Sequence, residues 1–160
     1  TSRNNSKGKR MKHIQIELKK PFAHHNWRKG AGGKELVYID ARQVMNRLDE
    51  VFDVGGWQAH YEHIGGRMIC KLSCLIGDKW VTKSDGAGDT NIEGDKGGIS
   101  DALKRAAVLW GIGRYLYYPS AFDSNRNPAS WATPEGYDKL MEERHGKEIE
   151  KWRKEYEASL

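Results

Sequence analysis

The stretch "WQAHYEHIGGRMICKLSCLIGDKWVTKS", Trp57 to Ser84, decides the fold. Three apolar-rich runs are separated by Gly65-Gly66 and Gly77-Asp78. Such pairs predict tight hairpin turns, because the favoured two-residue turns need positive φ, which glycine adopts without strain and aspartate tolerates. Two turns joining three runs make an antiparallel meander. In the middle run Met68, Cys70, Leu72, Cys74 and Ile76 alternate and therefore share one face. The spacing of the two cysteines fits neither a zinc knuckle nor a Cys-x-x-Cys redox pair, so they read as small buried hydrophobes. That apolar face has to be covered by something.

The cover lies on both sides in sequence. Upstream, "DARQVMNRLDEVF" places Val44, Met45, Leu48, Val51 and Phe52 within about 120° of a helical wheel. Asp40 with Gln43 forms a capping box at its start, and Gly55-Gly56 ends it. Downstream, Ile99, Ala102, Leu103, Ala106, Ala107, Leu109 and Trp110 make a second apolar arc, with Ser100 as cap and Gly111 and Gly113 at the end. Between meander and second helix, "DGAGDTNIEGDKGG" is too rich in Gly and Asp for regular structure and predicts a long loop.

Further out, "NWRKGAGGKELVYID" predicts a hairpin around a Gly-rich turn, and the alternation of Ile14, Ile16 and Leu18 predicts a short strand ended by Pro21. Thr133-Pro134 opens a charged C-terminal helix carrying Leu140, Met141, Ile149, Trp152 and Tyr156, with Gly146 as a point of interruption. The expected fold class is α+β, an antiparallel β-meander, in a sheet of four or more strands, packed against helices. Residues 1–13 form a flexible basic arm, residues 14–118 the main domain, and residues 119–160 a C-terminal loop and charged helix.

A chain of 160 residues supports one core. With 31% charged residues and no apolar run near the roughly 18 residues of a spanning helix, no membrane insertion is expected. The start lacks the apolar stretch of a secretory signal, so the expected location is cytoplasmic, or nuclear or mitochondrial in a eukaryotic cell. The formal charge of +5 is unevenly placed. Residues 1–13 hold five basic groups and no acid, which leaves 22 of each sign in the rest. Any polyanion site in the body must therefore come from local segregation, as in residues 96–118, where Lys96, Lys104, Arg105 and Arg114 face Asp101 alone.

Enzyme patterns fail on spacing. "DGAGDTNIEGD" lacks the glycine and glutamate positions of a calcium loop, and "GDKGGIS" lacks the phosphate-loop pattern. His24-His25 reads as a solvent-exposed pair. Asp85, Asp89, Glu93 and Asp95 are the acidic cluster that a metal-dependent nuclease would have to use, and no His or Lys at a nuclease-like spacing accompanies them. By contrast, Lys104 and Arg105 project opposite the apolar arc with Val108 between them, and Arg42 sits on the polar side of the first turn of the other helix. Two helices so marked can line a basic groove.

"VYIDARQVMNRLDEVFDVGGW", the hairpin strands, "DGAG" and "SDALKRAAVLWGIGRYLY" follow one another in an order that resembles the N-terminal annealing domain of the Rad52/Rad22 recombination family, in a phage or bacterial-type member. The resemblance covers about residues 14–118. It implies an ATP-independent protein that binds single-stranded DNA, anneals complementary strands for recombination and repair, and assembles into a homo-oligomeric ring. It implies no catalytic residue, metal or cofactor, and recombination proteins of the host or phage as protein partners. By position, Arg42 matches the family's groove arginine, and Lys104 and Arg105 its Lys-Arg pair. Eukaryotic members carry a further arginine where this chain has Val108, and Arg114 is the candidate to replace it. Lys79, Lys83 and Lys96 are the candidates for the family's second, outer DNA site. Since the basic helix carries no aromatic beside its pair, backbone tracking with little base preference is expected. The alternatives from other classes are the nuclease of the acidic loop at residues 85–95 and an RNA-binding module.

Overall fold

The computed structural model describes residues 11–88 and 95–160. The meander forms as expected: β3 (Trp57–Ile64), β4 (Arg67–Ile76) and β5 (Lys79–Gly86) pair antiparallel in the order β3-β4-β5. Gly65 (φ 57°), Gly66 (φ 79°) and Gly77 (φ 65°) supply the left-handed backbone that the turns require. The register runs from Trp57 opposite Cys74 to Ile64 opposite Arg67, and from Ile69 opposite Gly86 to Ile76 opposite Lys79. Cys70, Leu72 and Cys74 are fully buried on one face. Burial pushes their thiols up to about 11 for Cys70 and about 12 for Cys74, which keeps both protonated.

That face is covered by the helix Asp95–Leu109 (α3; α1 and α2 are the helices Lys12–Lys19 and Ala41–Phe52). Ala102, Ala106 and Ala107 are completely buried, and their small side chains let α3 sit close to β4. Trp110 then donates its indole N–H to the Leu72 carbonyl at 3.2 Å. The helix begins four residues before the expected Ile99, so Ser100 lies inside it and caps nothing. Asp85 and Gly86 likewise belong to β5, and the expected loop is shorter at both ends. Residues 89–94 of that loop lie outside the described residues.

Helix α2 has the expected capping box: Gln43 N–H donates to Asp40 Oδ1, and the Gln43 side chain accepts from Asp40 N–H, both at 2.9 Å. Val44 and Leu48 are fully buried against the common core. The expected strand over residues 14–18 is instead α1. Ile14 and Leu18, one helical turn apart, satisfy a helical period as well as an alternating one, and both are buried. The tie is broken from outside the segment. Arg47, itself buried, donates to the carbonyls of Glu17, Leu18 and Lys20 at 3.1, 3.4 and 2.6 Å, closing the helix's C-terminal end. Lys12 and His13 thus belong to a helix rather than to the basic arm, whose residues 1–10 lie outside the described residues.

The predicted hairpin forms from β1 (Asn26–Lys29) and β2 (Glu35–Tyr38). It is a separate two-stranded sheet, so the expected single sheet of four or more strands does not occur. Buried Ile39 leads β2 straight into α2 and ties the hairpin to the helical layer. The C-terminal helix α4 (Pro134–Ala158) starts on Thr133, whose Oγ1 accepts from Gly136 N–H at 3.0 Å, and runs unbroken through Gly146. Its Trp152 is buried, and the Tyr156 hydroxyl accepts from Gly77 N–H at 3.0 Å, so α4 latches onto the β4–β5 turn. The Trp152 and Tyr156 stripe is therefore covered within the chain.

Candidate nucleic-acid interface

A cavity of about 390 Å³ opens between the β1–β2 hairpin and the outer side of α3. Two properties of the sequence create it. The alanines of α3 commit one side of the helix to the sheet and leave Lys104, Arg105 and Val108 on the other. Gly111 (φ 104°) and Gly113 (φ 76°) then turn the chain back into a 3-10 turn, Arg114–Tyr117, whose Leu116 and Tyr117 form one end of the groove.

The hairpin supplies the facing wall with Arg28 and Tyr38. Arg28 stands opposite Leu36 in the register, and Tyr38 is two residues further along, so both project from the same face of the ribbon. The Tyr38 ring receives Lys104 Nζ at 5.5 Å and the Arg28 guanidinium carbon at 5.7 Å from its centroid, within cation–π range. Lys104 Nζ is 3.6 Å from Asp101, and Arg105 Nε is 3.5 Å from Asp85. These are long, solvent-facing ion pairs of the kind worth about 0–1 kcal/mol, so a phosphate can exchange for either carboxylate at little cost.

Of the residues selected from the sequence, Lys104 and Arg105 are brought together in this groove. Arg42 is exposed on the first turn of α2, four residues beyond Tyr38, and is not among the residues that line it. Arg114 is committed elsewhere: its Nε and Nη2 donate to the Val108 carbonyl at 3.1 and 2.8 Å, and Nη2 to the Leu109 carbonyl at 2.9 Å. Lys83 joins it there, 3.4 Å from the Leu109 carbonyl and 4.8 Å from the Trp110 ring. Both cations cap the C-terminal end of α3. Lys79 opens β5, six residues before Asp85 and so roughly 20 Å from the groove at about 3.3 Å per strand residue. Lys96 lies in the first turn of α3.

Three groove residues were not selected from the sequence: Arg28, Tyr38 and Tyr117. The first two needed the hairpin register, and the third needed the turn after α3. The basic helix itself carries no aromatic, as expected, and the groove's rings come from other elements, Tyr38 on β2 and Tyr117, 68% exposed at the rim. His25 corrects the reading of an exposed histidine pair: it is half-buried, hydrogen-bonded to the Tyr115 hydroxyl and packed edge-on against Phe122. In the acidic cluster, the Asp85 carboxylate accepts from Gly86 N–H at 2.7 Å besides facing Arg105. Asp89 and Glu93 lie outside the described residues. Among the described residues no three His, Cys, Asp or Glu side chains converge to hold a metal ion, and no helix is long and apolar enough to cross a membrane.

Residues 10–73 and 67–130 match the Rad52/22 family of double-strand break repair proteins. Two similar proteins carry the name single-stranded DNA-binding protein DdrA. That of Deinococcus deserti is 35% identical over 145 residues, covering 76% of this chain and 71% of the relative. That of Deinococcus radiodurans is 32% identical over 143 residues, covering 76% and 68%.

Proposed function

The chain belongs to the Rad52/22 family of double-strand break repair proteins, and from that premise we propose that it binds single-stranded DNA in the groove between hairpin and α3 and anneals complementary strands. The observation that carries this reading is the convergence of Lys104 and Arg105 with Arg28 and Tyr38 around one open cavity. The three cations take successive phosphates through charge-assisted hydrogen bonds, displacing Asp101 and Asp85. Tyr38 and exposed Tyr117 offer ring faces to sugars or bases, a contact every base can make. A backbone held this way leaves base edges free to test a second strand. Pairing is itself favourable, by about 1.4 kcal/mol per stacked step, so the reaction needs no covalent step and no nucleotide hydrolysis.

Annealing of two labelled complementary strands without nucleotide tests the reading. The wild-type protein accelerates duplex formation and leaves strand length unchanged with magnesium or manganese. Replacing Lys104 and Arg105 together by alanine reduces strand affinity about tenfold to a hundredfold, as expected for lost charged hydrogen bonds. Wild-type affinity and annealing in that variant, correctly folded, would move the DNA site elsewhere.

The same proposal includes assembly into a homo-oligomeric ring. Among the described residues neither edge strand of the three-stranded sheet, β3 or β5, pairs with a further strand, and Trp80 and Val81 on β5 are 45% and 38% exposed. Open edges with apolar side chains invite a neighbouring subunit. A monomeric mass in solution at micromolar concentration would rule this out.

A further inference from the structure

A second cavity, of about 420 Å³, lies on the other side of the Arg114–Tyr117 turn from the groove, between that turn, the C-terminal end of α1 and the first half of α4. Consecutive tyrosines divide between the two cavities: Tyr117 faces the groove and Tyr118 this one. Its apolar floor comes from Pro21, Tyr115, Leu140 and Met141. Its aromatic wall is Tyr118 against Trp131, with ring centroids 6.0 Å apart at 89°. Lys19 and Arg144 stand around it beside Arg114, whose guanidinium is held on the α3 carbonyls, and among the described residues no aspartate or glutamate lines it.

From this combination we infer that the cavity is a docking site for an acidic peptide segment of a partner protein, one that buries an apolar side chain on the floor while its carboxylates meet Lys19 and Arg144. Charge complementarity selects an anion, since Lys19 and Arg144 face the space with no carboxylate among the described residues that line it. A peptide is the occupant that suits the floor, where Pro21, Leu140 and Met141 seat an apolar side chain. Tyrosine, tryptophan, methionine and arginine are the residues enriched where proteins meet proteins, and half-buried Met141 adapts to whatever side chain enters. The volume falls in the range of pockets that enclose a ligand group. The groove differs in kind: Lys104 and Arg105 there already hold carboxylate partners that phosphates replace.

The test uses the full chain and a fluorescent peptide of four aspartates followed by Leu-Trp at a free C-terminus, read by anisotropy. Saturable binding is expected at tens of micromolar. Arg144→Gln and Tyr118→Ala, both at exposed residues, are each expected to weaken it at least fivefold. The double alanine replacement of Lys104 and Arg105 leaves it within twofold, and Arg144→Gln leaves binding of a short oligothymidine within twofold of wild type. Failure of the groove reading would appear in oligothymidine binding and leave the peptide result standing. Absence of saturation below about 1 mM, or equal affinity for a peptide with asparagine in place of aspartate, would overturn the inference. So would displacement of the peptide by oligothymidine together with loss of oligothymidine affinity in Arg144→Gln, which would assign the cavity to nucleic acid.

Discussion

The groove and the helix ends use the same residue types in opposite ways. In the groove, Lys104 and Arg105 face carboxylates at 3.6 and 3.5 Å across solvent, and Lys104 and Arg28 approach a ring face. At the helix ends, Arg47 gathers three main-chain carbonyls behind α1, and Arg114 with Lys83 closes the last carbonyls of α3. A carbonyl at a helix C-terminus lacks the N–H of a following turn, and although Glu17 and Val108 also accept from Lys20 and Gly111, the arginines there hold two or three main-chain oxygens at once. A cation opposite an exposed carboxylate has a weak and exchangeable partner. Position relative to a helix end, rather than charge, separates the structural cations from those that the proposed groove offers to phosphate.

The largest effect is expected at Arg47. Arg47→Ala removes the donor to the Leu18 and Lys20 carbonyls and the guanidinium 4.3 Å from the Phe22 ring, while the Glu17 carbonyl keeps the Lys20 N–H. We expect a loss of about 2–4 kcal/mol in urea unfolding. Arg47→Lys is expected to recover part of the loss, since a single nitrogen, Nη1, makes all three bonds, but not the guanidinium packing on the Phe22 ring. Unchanged stability with a selective loss of strand binding would break the division at its firmest point.

A matched pair sharpens it. Arg28, which sequence patterns passed over, lines the groove, whereas Arg114, which they selected, does not. Arg28→Ala is expected to lower oligothymidine affinity about tenfold, the value of one charged hydrogen bond, with stability within about 0.5 kcal/mol of wild type. Arg114→Ala is expected to do the reverse: about 1 kcal/mol less stable, as for loss of a cation at a helix C-terminus, with affinity within about twofold. The opposite result in either variant would restore Arg114 as the substitute for the family arginine at Val108.

These cases show why some of the molecule was legible in advance. The meander and α2 rest on chemistry contained within a few residues, paired turn residues in one and an Asp40–Gln43 capping box in the other. Lys104 and Arg105 were legible because a helical wheel fixes their side once the apolar arc is known. Helix α1 was not, since five residues of alternation also fit an i, i+4 pair and the deciding contact comes from Arg47, far along the chain. Arg28 and Tyr38 depended on strand register, and the fate of Arg114 on a chain reversal at Gly111 and Gly113. Trp152 and Tyr156 were legible as apolar positions of α4 but their cover was not, since α1 and the β4–β5 turn are distant in sequence.

The smallest effect concerns a group that becomes a cation only on acidification. His25 packs against Phe122 and hydrogen-bonds to the Tyr115 hydroxyl, which also accepts from Phe22 N–H at 3.1 Å. Burial, with His24 beside it, lowers its pKa below the ordinary 6.5. The unfolded chain therefore takes up this proton at a higher pH than the folded one. The contribution to stability is complete above about pH 6.5 and is lost as pH falls toward the lowered folded value, with a slope of at most about 1.4 kcal/mol per pH unit for one proton. His25→Gln keeps a partner for the Tyr115 hydroxyl and cannot titrate, so its unfolding midpoint is expected to vary less between pH 7 and pH 5. Tyr115 also begins the path through Leu116 to Tyr117 at the groove rim. If structural and phosphate-binding groups are separate, wild type and His25→Gln share one pH profile for oligothymidine affinity wherever both are folded. A difference between those profiles would show that the turn transmits charge at His25 to the groove, and the division between the two sets of cations would fail there.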